Sequence, residues 1–431
     1  MPLFWFALLI SVLASGSLAG ETPAIASPIS TGFGLLMLWG LAAKILALWA
    51  AKRVLSGAQS IEISHQRLLD RLELVRWCWL PVGAIGFTMM GFGDFTRELP
   101  LPAESMALRA IVLLLPSLFV VASTWAADQQ FADWADSHQP TGIERPSIVA
   151  ALWDSFRMQA AWLLVPVIVI FAVIDVTRAI AGPGGASEYS VALVALGSLP
   201  ILFPLLVGVI WRTRRISEEP SAAWSGEFLR SAGFRGIRLR VWDTDRRVCT
   251  ALVAGVIPGF RLMLLSDALL ARLSQRQTQM VMLHELAHVA RFHMLLRMAS
   301  VGIIWLGIAV GFSQLPESDL LRIAGTALGV VLTFGLLSLT SHLTELDADQ
   351  YACRMAQRLH DTGSSFGLPQ EEAARELAMA LKVVCRDNPK ARRASWMHPS
   401  LDMRTGRLVG QPESQSLDIR DKTYDQFAQP A

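Results

Sequence analysis

The chain has 431 residues, of which 53% are hydrophobic and 17% charged, and its mean hydropathy is +0.42. That is too apolar for a soluble protein of this size and points to a membrane protein. A formal net charge of +2, with no basic run interleaved with aromatics, leaves no surface suited to a polyanion, so no nucleic-acid partner is expected.

The first segment, 2–19, has an apolar run and small residues before Glu21 but no basic stretch ahead of it, and reads equally as a retained span or a cleaved signal. A helix crosses the roughly 30 Å hydrocarbon core with about 20 apolar residues. Seven such stretches follow, at 33–50, 77–92, 106–126, 160–181, 191–211, 298–312 and 323–339. Asp175 and Arg178, at i and i+3, read as a pair at the end of the fourth. Pro200 and Pro204 read as kinks in the fifth.

Lys52, Arg53, Arg67, Arg71 and Arg76 follow the first of these stretches, and Arg212, Arg214 and Arg215 follow the fifth. Short basic loops stay on the cytoplasmic side, and four spans separate the two clusters, so both fall on that side. The mainly acidic 128–155 loop fits this orientation poorly.

Two polar stretches are long enough to fold outside the bilayer, and they flank the last two spans. In the first, 216–297, alternation and β-branched content predict strands at 237–242, 248–253 and 261–265. In the second, from 341 onward, helices are predicted at 345–358 and 371–384, followed by a polar, disordered tail at 411–431. The four cysteines, Cys78, Cys249, Cys353 and Cys385, are too scattered for a zinc knuckle or a disulfide framework and are expected to be free thiols.

Chemistry concentrates in Val281-Met282-Leu283-His284-Glu285-Leu286-Ala287-His288-Val289, a His-Glu-x-x-His motif within good helix formers. Spacing of i and i+4 puts both imidazoles on one helix face, where they can share a tetrahedral zinc. Glu285 is rotated by about 100° and reaches a zinc-held water instead, the place of a general base. Chance spells this motif in a chain of such length about once in a hundred, so coincidence is a weak competitor.

A catalytic zinc takes three protein ligands and keeps a fourth position open. Glu345, Asp347 and Asp349 follow the last two spans. Glu345 and Asp349 lie one helical turn apart, so that one can ligate while the other holds a ligand imidazole or an arginine, and Asp347 points to another face. His293 reads as a residue on the motif helix, five positions past His288 and off the ligand face, marking the membrane interface. A hairpin of two spans returns the motif helix and the acidic helix to similar heights, placing the zinc roughly 10 to 15 Å from the hydrocarbon edge.

The motif, the segment Thr344-Glu345-Leu346-Asp347-Ala348-Asp349 and His398-Pro399-Ser400 with Arg404 resemble the integral-membrane zinc peptidase family of the HtpX-type heat-shock protease and the type I CAAX prenyl endopeptidase. The likeness covers about 248–408. It implies His284, His288 and Glu345 as ligands of one Zn²⁺ per chain and Glu285 as the catalytic glutamate. It also implies Asp349, His398 and Arg404 as residues beside the metal or substrate. In metal-assisted peptide hydrolysis His398 is expected to act as an oxyanion donor. Family members carry a substrate-pairing strand ahead of the motif helix, which corresponds to Ala251, Leu252, Val253 and Ala254 without the usual asparagine.

The expected fold is mainly α, with about seven or eight membrane helices and a cytoplasmic-facing, zincin-like α+β catalytic domain split by a membrane hairpin. Its parts are a multi-span region 1–215, a first catalytic part 216–297, the hairpin 298–340, a second catalytic part 341–410 and the tail 411–431. The expected activity is zinc-dependent endopeptidase cleavage of membrane or membrane-proximal proteins, the partners being a peptide or protein substrate and the bilayer. Two alternatives stand beside it. One is a membrane signalling protease resembling the beta-lactam sensor and antirepressor family, and the other is a zinc-stabilised scaffold without activity.

Overall fold

The computed structural model describes residues 28–89, 105–139, 146–182, 186–246, 248–255, 257–313, 319–386 and 392–410, together with 4, 5, 8 and 95. Most of the segment 2–19 and all of the tail 411–431 lie outside these residues. The chain divides into two compact units, Met1–Leu199 and Pro200–Ala431.

The first unit is helical throughout its described residues, with α1 (Pro28–Leu55), α2 (Ile61–Met89), α3 (Met106–His138), α4 (Ile148–Phe156), α5 (Trp162–Ala181) and most of α6 (Ala186–Ile210). A single π-helical turn at Arg157–Ala161 joins α4 to α5. Small residues on α1, namely Ala43, Ala47 and Ala50, are buried against Leu68, Leu72 and Phe131 of its neighbours, the close approach that small side chains permit in membranes. Outward-facing Phe33, Leu41, Ile45 and Leu48 are exposed, as a lipid-facing surface requires. The Asp175 carboxylate accepts from Ser105 Oγ and from the backbone N–H groups of Met106 and Ala107, at 2.8–2.9 Å, and so caps the N-terminus of α3. Among the described residues, five helices are long and apolar enough to cross a membrane, two of them in the second unit.

In the second unit the sheet order is β1 (Thr213–Arg215), β2 (Ile237–Trp242), β4 (Arg261–Ser266), β3 (Ala251–Ala254). β2 and β4 run parallel, and the other pairs are antiparallel. β3 is therefore an edge strand. It ends at Gly255, whose φ of +99° suits only glycine and where an added Cβ would lie 2.7 Å from Pro204 Cγ.

After the short α8 (Asp267–Arg272), the motif helix α9 (Gln275–Ala290) opens on a capping box. Ser274 Oγ accepts from the Gln277 N–H, and Gln277 Oε1 accepts from the Ser274 N–H. Leu283 and Leu286 of α9 join Met263, Leu265, Ala352, Ala356 and Leu377 in one buried core, which clamps α9 between the sheet, α11 (Asp319–Asp361) and α12 (Gln370–Val384). The last helix is α13 (Leu401–Val409).

Helix α9 stops at Arg291, Phe292 takes φ +56°, and α10 (His293–Ser313) starts at once. His293 thus begins a new helix, which corrects the expectation that it continues the motif helix. The last span and the acidic helix, expected as separate elements, are one helix, α11. Its 43 residues extend about 64 Å at 1.5 Å per residue, far beyond a roughly 30 Å hydrocarbon core. All four cysteines are free thiols.

Candidate metal centre

Two imidazoles and a carboxylate converge where α9 meets α11. His284 Nε2 and His288 Nε2 are 3.3 Å apart, His284 Nε2 lies 3.4 Å from Glu345 Oε2, and His288 Nε2 lies 3.5 Å from Glu345 Oε1. Two imidazoles and a carboxylate are a donor set of catalytic zinc sites. Bonds of about 2.0–2.1 Å at tetrahedral angles separate neighbouring ligand atoms by roughly 3.3–3.4 Å. The two imidazole nitrogens match that edge length, and each has one oxygen of the Glu345 carboxylate 3.4–3.5 Å away, so the residues fit a zinc ion.

Charge balance gives the same answer. His284 Nδ1 approaches Asp349 Oδ1 at 2.9 Å, an ion-pair contact without the alignment of a hydrogen bond, in a pocket where both side chains are buried. Burial works against a charged His284, but Asp349 and Glu345 lift its pKa to about 10. These carboxylates demand positive charge at the His284 ring, which a divalent cation on Nε2 supplies in place of the ring proton. His288 is held neutral, as a ligand must be, because burial and the neighbouring His284 charge push its pKa down to about 3.

Arg404 binds Asp349 through two parallel hydrogen bonds, Nε to Oδ2 at 2.8 Å and Nη2 to Oδ1 at 2.7 Å. Its Nη1 is 3.5 Å from Glu345 Oε2. Burial opposes the guanidinium charge, yet Asp349 and Glu345 raise its pKa above the ordinary arginine value. Between the two readings left open for the α11 carboxylates, the geometry separates the residues: Glu345 faces both imidazole Nε2 atoms, and Asp349 faces His284 Nδ1 and Arg404.

Glu285 lies outside the three-atom cluster and lines a cavity of about 1230 Å³ together with His284, His288 and Glu345. Burial raises its pKa to about 7, against the opposing pull of His284. His398 is exposed at this cavity, with Nδ1 3.2 Å from Glu345 Oε2. Ala251, Leu252 and Val253 of edge strand β3 line the same cavity, whereas Ala254 is buried behind it.

Two residues of the site were not singled out as participants from the sequence. Arg297 Nη2 reaches Thr344 Oγ1 and lies 3.4 Å from Glu345 Oε1. His293, expected at the membrane interface, is buried, and its Nδ1 lies 3.0 Å from His288 Nδ1. The left-handed Phe292 turns α10 back so that its first residue meets the second motif histidine. No residue-type signal announces that turn, because a phenylalanine with positive φ is rare.

The motif helix and the acidic helix both fall within a segment that matches a known peptidase family. Residues 227–408 match peptidase family M48, so the resemblance read from the motifs holds over the segment that carries them and begins earlier, within α7 (Ala222–Ser231). Comparison with curated proteins gives no match. Among solved structures, the crystal structure of S. mikatae Ste24p is similar at 14% identity and a TM-score of 0.38, over 73% of this chain and 93% of that one. A score that low is too weak to support an argument from shared overall architecture.

Arg404→Met would strand the Asp349 carboxylate in a buried site, at an expected cost of about 3–5 kcal/mol. The double variant Asp349→Leu/Arg404→Met should recover much of it, because it buries no charge. Unfolding of the metal-free protein in detergent measures both, and a single variant as stable as the parent would show that the ion pair is not holding Asp349.

Proposed function

We propose that the protein is a zinc endopeptidase that cuts membrane or membrane-proximal polypeptides, with His284, His288 and Glu345 holding the metal and Glu285 as the base. The observation that carries this reading is the convergence of two imidazole nitrogens 3.3 Å apart with the Glu345 carboxylate, whose oxygens lie 3.4 and 3.5 Å from them, beside a glutamate that faces the same cavity without joining them. Zinc in this position supplies Lewis-acid polarisation of a scissile carbonyl and a water of lowered pKa.

The remaining work falls to the chain's own side chains. Glu285 takes the proton of the attacking water and passes it to the leaving amine. His398, exposed at the cavity, donates to the oxyanion that develops on the carbonyl oxygen. Asp349 orients His284, and Arg404 holds Asp349 in place. The free edge of β3 pairs with an extended substrate segment, whose backbone then runs past the metal with alternate side chains pointing into the cavity.

On this reading Glu285→Gln keeps the shape of the side chain and removes its basicity. Zinc content and folding should survive, and peptide cleavage should fall by about 10² to 10⁴. Glu345→Ala, by contrast, should lose zinc and cleavage together. The measurements are elemental analysis and cleavage of an unfolded membrane-protein substrate in detergent. A Glu285→Gln protein that retains zinc and cuts at the parent's rate would remove the base from the mechanism and favour a zinc-stabilised scaffold.

The basic clusters after α1 and α6 support a cytoplasmic placement of the catalytic segments. A cysteine introduced at Ala431, with the four native cysteines replaced, should be protected from an impermeant thiol reagent in intact cells. Labelling from outside would reverse the orientation.

A further inference from the structure

We infer that His293 and Asp347 form a relay that fixes the tautomer of His288 and so keeps its Nε2 available to the metal. The inference rests on the zinc reading above and adds two positioning residues to it. His288 Nδ1 and His293 Nδ1 are 3.0 Å apart, and His293 Nε2 is 3.1 Å from Asp347 Oδ2. The two rings meet edge to face, with centroids 5.1 Å apart. Asp347 is itself held by Arg291 Nε at 3.0 Å and Nη2 at 3.5 Å, and by Arg354 Nη2 at 3.9 Å.

A neutral imidazole has one donor nitrogen and one acceptor, so with both rings neutral the contact between the two Nδ1 atoms has two solutions. In the first, His288 donates from Nδ1 and leaves a lone pair on Nε2. His293 Nδ1 accepts, and its proton sits on Nε2, from which it is donated to Asp347. In the second, every role reverses. His288 then carries its proton on Nε2, facing His284 and Glu345, where it blocks ligation, and His293 turns a lone pair toward a carboxylate. Asp347 disfavours the second solution, because an ionised carboxylate only accepts. The charge on Asp347 therefore reaches the metal position as a choice of tautomer, through one intervening ring.

The fold is arranged for this contact. Asp347 lies two residues past Glu345 on α11, on a different face, so the same helix presents one carboxylate to the ligand atoms and another to the relay. His293 occupies the first position of α10, and only the abrupt turn at Phe292 brings it over His288. In an unbroken helix, residues five apart point about 140° away from each other.

The test uses full-length protein in detergent, stripped of metal and titrated with Zn²⁺ against a competing chelator. His293→Ala should weaken zinc binding by about 10 to 100-fold, with the unfolding midpoint of the metal-free protein unchanged. His293→Asn, whose amide oxygen can stand where Nδ1 stood and accept from His288, should restore affinity to within a few-fold of the parent. Asp347→Ala leaves both rings in place and should lower affinity by about 10-fold, which reads the relay independently if His293→Ala does not fold. Parent-like affinity in His293→Ala or in Asp347→Ala would overturn the relay, as would equal weakening of the alanine and asparagine variants at position 293. A parent that binds no Zn²⁺ would instead overturn the metallopeptidase reading, and the relay with it.

Discussion

Everything around the motif helix depends on concentrated negative charge held away from water. Glu345 and Asp349 are almost fully buried on one helix, and Glu285 faces them from another. Each buried charge costs several kcal/mol unless it is met by an opposite charge and hydrogen bonds. Arg404 meets Asp349 with two hydrogen bonds, and Arg297 approaches Glu345. The point between His284, His288 and Glu345 still calls for positive charge, and the ligand atoms there have the spacing of a tetrahedral zinc site. The packing core of the second unit, built from α9, α11, α12 and the sheet, keeps these groups from drifting apart.

The second constraint is a length. Glu345 sits six residues beyond the apolar stretch that ends at Leu339, on the same uninterrupted helix, which is about 9 Å at 1.5 Å per residue. One rigid element thus carries both an apolar stretch long enough to cross a membrane and the carboxylate of the candidate metal centre, so on the proposed reading the depth of the helix in the bilayer sets the height of the metal position. The cavity wall continues from polar to apolar along the hairpin, where Met298, Val301 and Leu337 face the same space as Glu285 and Glu345. A polypeptide leaving the bilayer would meet apolar surface first and the charged centre next.

Much of this was legible in the sequence, because the motifs encode short-range helix geometry. The i, i+4 pairs His284/His288 and Glu345/Asp349 specify their faces by spacing alone, and the predicted strand 237–242 coincides with the observed Ile237–Trp242. What was not legible depends on backbone turns and on non-local pairing. The continuity of α11 is hidden by a change of composition near Ser341 that leaves helix propensity intact. The edge position of β3 follows from a sheet order in which β4 intervenes between β2 and β3. Asp175 reads as half of a local i, i+3 pair, and nothing local signals that its carboxylate also caps a helix about 70 residues earlier. His293 was misread because Phe292 adopts a left-handed conformation that its side chain does not advertise.

The claim at the centre of this account is that two imidazoles and one carboxylate hold a zinc ion. X-ray absorption at the zinc edge, on full-length protein carrying one zinc per chain, tests it without reference to activity. The spectrum should fit two imidazole nitrogens at about 2.0–2.1 Å with the remaining ligands oxygen. A sulfur shell near 2.3 Å, or a fit with no imidazole nitrogen, would place the metal elsewhere in the chain and contradict the account.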